Sequence, residues 1–285
     1  THIPGVDEKI VGEVAVTILG SREYAVILNP VDPESGKCRM GARLKAEGPA
    51  HFFLKPGERL ERGIQKVHIL ESNEALLLRA REQFHDGEVT HAPGDRWMVR
   101  GPRDYVPPVE VEIIEVRKVI PLDEHEGIYV RDIKTGRVRA VIGESYMLRS
   151  DEELWDKDVS PVVAELLQQE DCNAGDRTRV LVYKAPHNTC VQIYDYKAKV
   201  ARVVFGPDLV MLGPDEQFTV LSLSGGKPKQ PHKIKALCLQ LGPDFMTDHV
   251  TVETADHARL SLKVSYNWMF ETNRDDPDAA QIFSV

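Results

Sequence analysis

The sequence predicts a mainly all-β protein, a tandem array of small antiparallel β-sheet repeat domains followed by the start of a different domain. Three observations carry this. Gly87 to Pro108, GEVTHAPGDRWMVRGPRDYVPP, reads as strand, turn, strand, turn: Asp86-Gly87 is a hairpin dipeptide whose glycine accepts positive φ, Pro93-Gly94 is a second turn, and Arg96 to Arg100 closes on Gly101-Pro102. Relatives of that stretch recur along the chain. Near the C-terminal end the repeat is lost, and over Arg259 to Phe270 the apolar residues Leu260, Leu262, Val264, Tyr266, Trp268 and Phe270 alternate with Arg259, Ser261, Lys263, Ser265 and Asn267.

The recurrence sets the organisation. Gly94-Asp-Arg-Trp-Met-Val99 aligns with Gly48-Pro-Ala-His-Phe-Phe53, Gly143-Glu-Ser-Tyr-Met-Leu148 and Gly206-Pro-Asp-Leu-Val-Met211, which places Trp97, Tyr146 and Leu209 at one core position. Seven residues before these anchors stand Gly41, Gly87, Gly136 and Lys199, a position that favours positive φ. The anchors lie 46, 49 and 63 residues apart, so the period is about fifty, a signature of stacked arrays. A β unit of that size buries only roughly 60% of its unfolded surface, so each unit must lean on its neighbours.

Taken in order, residues 1–12 read as the tail of a preceding repeat. The first repeat spans 13–65, with a strand from Tyr24 to Leu28 and a long turn-rich loop, Asn29 to Gly36. The second, 66–118, ends in Val109-Glu-Val-Glu-Ile113, whose valines face one way and whose glutamates face the other. The third, 119–178, has a strand from Gly136 to Ile142 with Arg137 and Arg139 outward. It then carries Ser160-Pro161 ahead of Val163, Leu166 and Leu167, a cap, a first-turn proline and helical spacing that predict one short helix, with an exposed loop from Gln168 to Asp176. The fourth, 179–235, shares the hairpin Asp195 to Lys199 with Asp132 to Gly136 and ends in a Gly/Pro/Lys linker, Ser224 to Lys233. Residues 236–285 begin a new, incomplete domain. Arg259 to Phe270 is predicted as a strand buried on one side, Asp256-His257 as its turn, and Asp276-Pro277 as a helix start.

Composition narrows the function. A formal net charge of −9 argues against a nucleic-acid surface spread over the chain, because phosphate affinity needs clustered Lys and Arg. Cys38, Cys172, Cys190 and Cys238 form no CxxC pair and read as reduced and structural. Without a signal peptide, an apolar run long enough to span a bilayer or an Asn-X-Ser/Thr acceptor, a cytosolic compartment is the default.

Motifs for chemistry fail on spacing. His125-Glu126 has Tyr129 where a zincin needs its second histidine, and Gly143-Glu-Ser145 lacks the second glycine of a nucleophile elbow. Gly36-Lys37 and Gly226-Lys227 lack the first glycine of a P-loop, and Asp123 to Glu126 lacks EF-hand spacing. No catalytic, cofactor-binding or metal residue is assigned, and no enzyme activity is expected.

Longer strings carry a family resemblance. Gly101-Pro102-Arg-Asp-Tyr105-Val-Pro107, Gly127-Ile-Tyr-Val130, Thr135-Gly-Arg-Val-Arg-Ala-Val-Ile-Gly143, Pro186-His-Asn188, Tyr194-Asp-Tyr196, Arg202-Val-Val-Phe-Gly-Pro207 and Val252-Glu-Thr-Ala-Asp-His-Ala-Arg-Leu260 together closely resemble the major vault protein family over essentially the whole chain. The resemblance implies later repeats plus the start of a shoulder domain, itself similar to the α/β stomatin and prohibitin domain. It implies a structural shell protein, many copies of which stand side by side in the wall of the vault ribonucleoprotein particle. Its partners are then further copies of itself, with vault-associated proteins and vault RNA in the whole particle, no direct RNA contact in this segment and no membrane. Its place is the cytoplasm, with a minor nuclear pool. Outward residues at the lateral edges, acidic Glu110 and Glu112 and basic Arg137 and Arg139, are the candidate interface. The rival reading is a monomeric β-repeat scaffold that binds partner proteins through strand edges.

Overall fold

Each repeat is assembled round one apolar central strand, flanked antiparallel on both sides, with a two-stranded ribbon or, in the third repeat, a single bridge across one end. In the computed structural model, which describes residues 5–7, 14–87, 89–169, 176–226, 229–272 and 279–283, the chain divides into two compact units, one up to Val119 and one from Ile120. In the first unit β1 (Thr17–Leu19), β2 (Glu23–Leu28), β3 (Arg43–Glu47), β4 (Ala50–Phe52) and β5 (Arg59–Lys66) form a sheet of order β3-β2-β5 and a ribbon β1-β4. The plan recurs in β6 (His68–Leu70), β7 (Glu74–Ala80), β8 (Phe84–Asp86), β9 (Val89–His91), β10 (Arg96–Arg100), β11 (Arg103–Tyr105) and β12 (Val111–Lys118), as β10-β7-β12 and β6-β11. Here β8 and β9 are an extra hairpin set into the loop after β7.

The second unit opens with β13 (Gly127–Asp132), β14 (Val138–Ile142) and β15 (Glu152–Leu154), order β14-β13-β15, with an Ile120 to Tyr146 bridge in place of the ribbon. Then follow α1 (Pro161–Gln169), β16 (Val182–Ala185), β17 (Thr189–Asp195), β18 (Val200–Phe205), β19 (Asp208–Met211) and β20 (Glu216–Phe218), ordered β18-β17-β20 and β16-β19. The helix starts as its sequence predicts: Ser160 Oγ accepts from Val163 N at 3.3 Å, and Val163 and Leu167 are buried. The hairpin β21 (Leu221–Gly225) and β22 (Gln230–Ala236) follows, then β23 (Cys238–Gln240), which returns to pair with β17. The long ribbon β24 (Asp244–Glu253) and β25 (Arg259–Trp268) and a 3-10 turn, Ala279–Phe283, end the described chain.

Hydrogen bonds fix the repeat register and correct the one read from sequence. Gly48, Gly101, Gly143 and Gly206 each donate their N–H to the carbonyl at the opening of their own central strand, Glu23 O (2.9 Å), Glu74 O (3.0 Å), Glu126 O (3.1 Å) and Thr189 O (2.8 Å). The anchor of the second repeat is therefore Gly101 and not Gly94, and the spacings become 53, 42 and 63 residues. Seven residues before each true anchor stand Gly41, Gly94, Gly136 and Lys199, all at positive φ (81°, 92°, 70° and 58°). Trp97 accordingly shares no position with Tyr146 and Leu209. It lies on β10, with the His91 ring stacked 3.9 Å from its own. The β8-β9 hairpin is the cause, because it supplies its own glycine turn at Gly87 (φ 61°) and shifts a local alignment by one turn.

The core of each repeat lies on one face of its central strand. Leu76 and Leu78 pack with Leu70, Val99 and Val111; Ile128 and Val130 with Leu122 and Val141; Val191 and Ile193 with Leu181, Val210 and the helix residues Val163 and Leu167. Repeats are tied along the chain by main-chain bonds from the connector to the preceding repeat, Val67 N to Arg22 O, Val119 N to Asn73 O and Leu241 N to Asn188 O.

The joint between the third and fourth repeats uses the other face of β13. Tyr129 Oη donates to Leu212 O at 2.9 Å and accepts from Leu181 N at 3.4 Å, while its ring meets Trp155 edge to face. Lys157, 2% exposed, donates to Gly213 O (2.9 Å) and Pro214 O (2.7 Å) and lies 5.5 Å from the Tyr129 ring centroid. Burial pulls its ammonium down to about 8, against the opposing pull of Asp215 and Glu216. Between about 8 and the ordinary lysine value of 10.5 the folded chain therefore binds fewer protons here than the unfolded chain, so stability rises with pH in that window. A tenfold difference in proton affinity between the two states corresponds to about 1.4 kcal/mol. The urea midpoint of the second unit is expected to rise from about pH 8 to about pH 10, and Lys157→Met to flatten that slope. A falling wild-type midpoint, or equal slopes, would refute this.

Three further expectations change. Ser224 to Lys233 is not a linker: its described residues belong to the β21-β22 hairpin and its turn. The last strand of the second repeat begins at Val111, after a turn closed by Val111 N to Pro108 O, and is bulged between Ile113 and Glu115, so Val109 and Glu110 stand outside the alternation. The strand from Arg259 pairs through ten residues with β24 and turns at Thr254 to Ala258 as anticipated, but neither face is buried, since Leu260, Leu262, Val264 and Tyr266 are 41 to 45% exposed. Most of the N-terminal tail, the loop at 170–175 and Asp276-Pro277 lie outside the described residues.

Candidate functional surface

Among the described residues no three His, Cys, Asp or Glu side chains gather as a metal would require. The histidines serve local roles: His85 bonds Thr90 across the β8-β9 hairpin, His232 bonds Ser222, and His257 sits at positive φ beside Glu253. Cys38, Cys190 and Cys238 are free thiols, and burial pushes Cys190 up to about 11. A thiol that burial holds protonated, as at Cys190, is a poor nucleophile. What remains is surface.

The acidic candidates belong to the first unit. Glu112, on β12, faces Arg79 across the sheet, and hydrogen bonding from the Arg79 guanidinium, aided by the charges of Arg79 and Arg81, holds its carboxyl below the usual range. Glu110 sits in the preceding turn, where its carbonyl accepts from Arg81 N. No side-chain ion pair engages Glu110 among the described residues.

The basic candidates belong to the second unit, at the start of the third repeat's outer strand. Arg137 is exposed and forms no ion pair among the described residues. Arg139 instead reaches across the central strand to Glu152 at 2.7 Å and to Tyr146 Oη, over whose ring it lies. Glu152 is 6% exposed; burial alone would raise its carboxyl, but bonds from Tyr146, Arg149 N and Arg139 hold it low. The fourth repeat rebuilds this clasp with Arg202 on Glu216, at 2.8 and 2.9 Å, and with Gly213 N in place of Arg149 N. Arg139 and Glu112 are thus engaged within their own repeats, while the Glu110 and Arg137 side chains form no ion pair among the described residues.

Two features escaped sequence reading. In the main sheet of each of the four repeats the equivalent outer strand carries at least one basic residue on or beside it, a recurrence beyond the Arg137 and Arg139 read from sequence: Arg43 and Lys45 on β3, Arg96 and Arg100 on β10, Arg137 and Arg139 beside and on β14, Arg202 on β18. An alignment shifted by one turn hides this, because it sets Arg96 against serine and aspartate. The second is an outward isoleucine on the first strand of each of the first two repeats, Ile18 and Ile69, 63% and 53% exposed, each one residue before a buried leucine.

Comparison with known proteins gives family matches along much of the chain. Sequence profiles described as major vault protein repeat domains match residues 68–108, 119–178 and 180–241, and one described as a shoulder domain matches 242–285. The major vault protein of Strongylocentrotus purpuratus is 57% identical over 304 residues, covering 100% of this chain and 35% of the relative. Major vault protein alpha of Dictyostelium discoideum is 59% identical over 293 residues, with 100% and 34% covered, and the Homo sapiens protein 53% over 307 residues, with 100% and 34%. The chain spans about a third of the length of these relatives.

Proposed function

Since this chain belongs to the major vault protein family, we propose that it is a segment of a structural, non-enzymatic shell protein, many copies of which associate side by side to form a vault wall. The observation that carries the reading is the recurrence of one sheet plan, a central strand flanked antiparallel on both sides, in four successive repeats, each with a basic residue on or beside the equivalent outer strand. Glu110 and Arg137, with Glu112 and Arg139 beside them, are the lateral residues we assign. Single exposed pairs contribute about 0 to 1 kcal/mol, so the wall depends on summing many. Vault-associated proteins and vault RNA are partners of the whole particle, without RNA contact in this acidic segment. We place it in the cytoplasm with a minor nuclear pool. No helix among the described residues is long and apolar enough to cross a membrane.

The test uses a chain of the relatives' full length carrying this segment, viewed by electron microscopy at rising salt. Hollow particles are expected, and Glu110→Arg with Arg137→Glu should open them at lower salt than wild type, because neither change breaks a clasp within a repeat. Intact variant particles at elevated salt would remove these residues from the interface. Sedimentation of the wild type as a monomer would favour the partner-binding scaffold.

A further inference from the structure

The joints between repeats are not alike. Val26 and Tyr129 are equivalent, each three residues beyond the strand-opening glutamate whose carbonyl binds the anchor glycine. At the joint of the third and fourth repeats the Tyr129 ring and Lys157 fill the space. At the joint of the first and second, beside the smaller Val26, a half-open cavity of about 260 Å³ remains.

Its lining has a polar and an apolar side. Arg62, Arg81, His68, Gln65 and the Tyr24 phenol supply donors, and Val26, Val111 and Ile113 supply an apolar wall. The two rim carboxylates are already engaged, Glu61 with Arg43 at 3.2 Å and Glu112 with Arg79. Arg81 lies 3.7 Å from Glu112, so Arg62, which forms no ion pair among the described residues, is the lining cation left without a carboxylate, beside Tyr24, His68 and Gln65. Burial lowers His68, which leaves its imidazole neutral with one N–H to give.

We propose that this joint binds a small organic anion, its carboxylate or phosphate head held by Arg62, Tyr24 and His68 and its compact apolar body set against Val26, Val111 and Ile113. An arginine with neighbouring hydroxyl and imidazole donors suits a planar or tetrahedral oxyanion. The volume of about 260 Å³ suits a small molecule rather than a single water or ion. The inference does not depend on lateral association.

The test is calorimetric titration of this chain with phenyl phosphate, benzoate and inorganic phosphate. Saturable binding of the two organic anions is expected, weakened about tenfold or more by Arg62→Gln, an exposed position whose change leaves the fold intact. Val26→Tyr, which copies the filled joint, should abolish binding, and Arg137→Gln should leave it unchanged. Absence of saturation, or equal affinity in Arg62→Gln, overturns the site. Equal affinity for inorganic and phenyl phosphate overturns the apolar subsite. Binding of an acidic peptide but of neither organic anion overturns it in favour of a protein partner.

Discussion

Gly206→Ala is expected to destabilise the second unit by at least about 3 kcal/mol, the upper end of overpacking costs. A Cβ there would stand 1.8 Å from the carbonyl oxygen of Pro186, which is main chain and cannot swing aside. That carbonyl also accepts from Thr189 Oγ1 at 2.7 Å, and Gly206 N donates to Thr189 O, so any retreat breaks the junction of β17 with its ribbon. Gly101 and Gly48 meet the same obstacle, at 2.0 Å from Glu71 O and 1.7 Å from Gly20 O. Against a typical stability of about 5 to 15 kcal/mol the loss is severe. The control is Gly136→Lys. Gly136 has positive φ but open space around it, and Lys199 already occupies the equivalent place at φ 58°, so a loss of only about 1 to 2 kcal/mol is expected. Urea unfolding of both variants decides the matter: equal midpoints for Gly206→Ala and wild type would refute the close approach.

Tyr129→Ala should cost about 3 to 5 kcal/mol, as for other large aromatic truncations in a core. The ring is fully buried between the third and fourth repeats, packs on Trp155 and lies under the Lys157 ammonium. Tyr129→Phe separates packing from hydrogen bonding. It keeps the ring but leaves Leu212 O without its phenol donor and Leu181 N without its acceptor, at about 1 to 3 kcal/mol for a buried group left unsatisfied. The two costs are to be read from unfolding midpoints with unchanged slope. If Tyr129→Phe proved neutral, the phenol would have no part in tying the two repeats.

Much of the fold was legible because the signals are local. Glycine turns, the Ser160-Pro161 cap and the Asp132 and Asp195 hairpins each depend on residues within a few positions. Asp132 Oδ1 accepts from Lys134 N and Thr135 N, and Asp195 Oδ1 from Lys197 N and Ala198 N, as their shared spacing implied. The surface was less legible. Alternation marked Glu112 and Arg139 as outward, yet Arg139 is exposed while Glu112 is half-buried at the lining of a cavity, and alternation carries no information on what either charge meets. Arg79 lies 33 residues from Glu112 and Glu152 lies 13 from Arg139, separations at which sequence pattern is silent.

The sequence by itself determined the strand and turn grammar, the existence of a repeat, the helix and the absence of catalytic spacing, since all of these follow from short-range periodicity and backbone preference. Tertiary structure alone decided which glycine anchors each repeat. Gly94 and Gly101 both look like turns, and only the approach of Gly101 to the carbonyls of Glu71 and Glu74, far back along the chain, tells them apart. It also decided that one joint is filled by Tyr129 and another is hollow beside Val26, because packing between repeats joins side chains far apart in sequence.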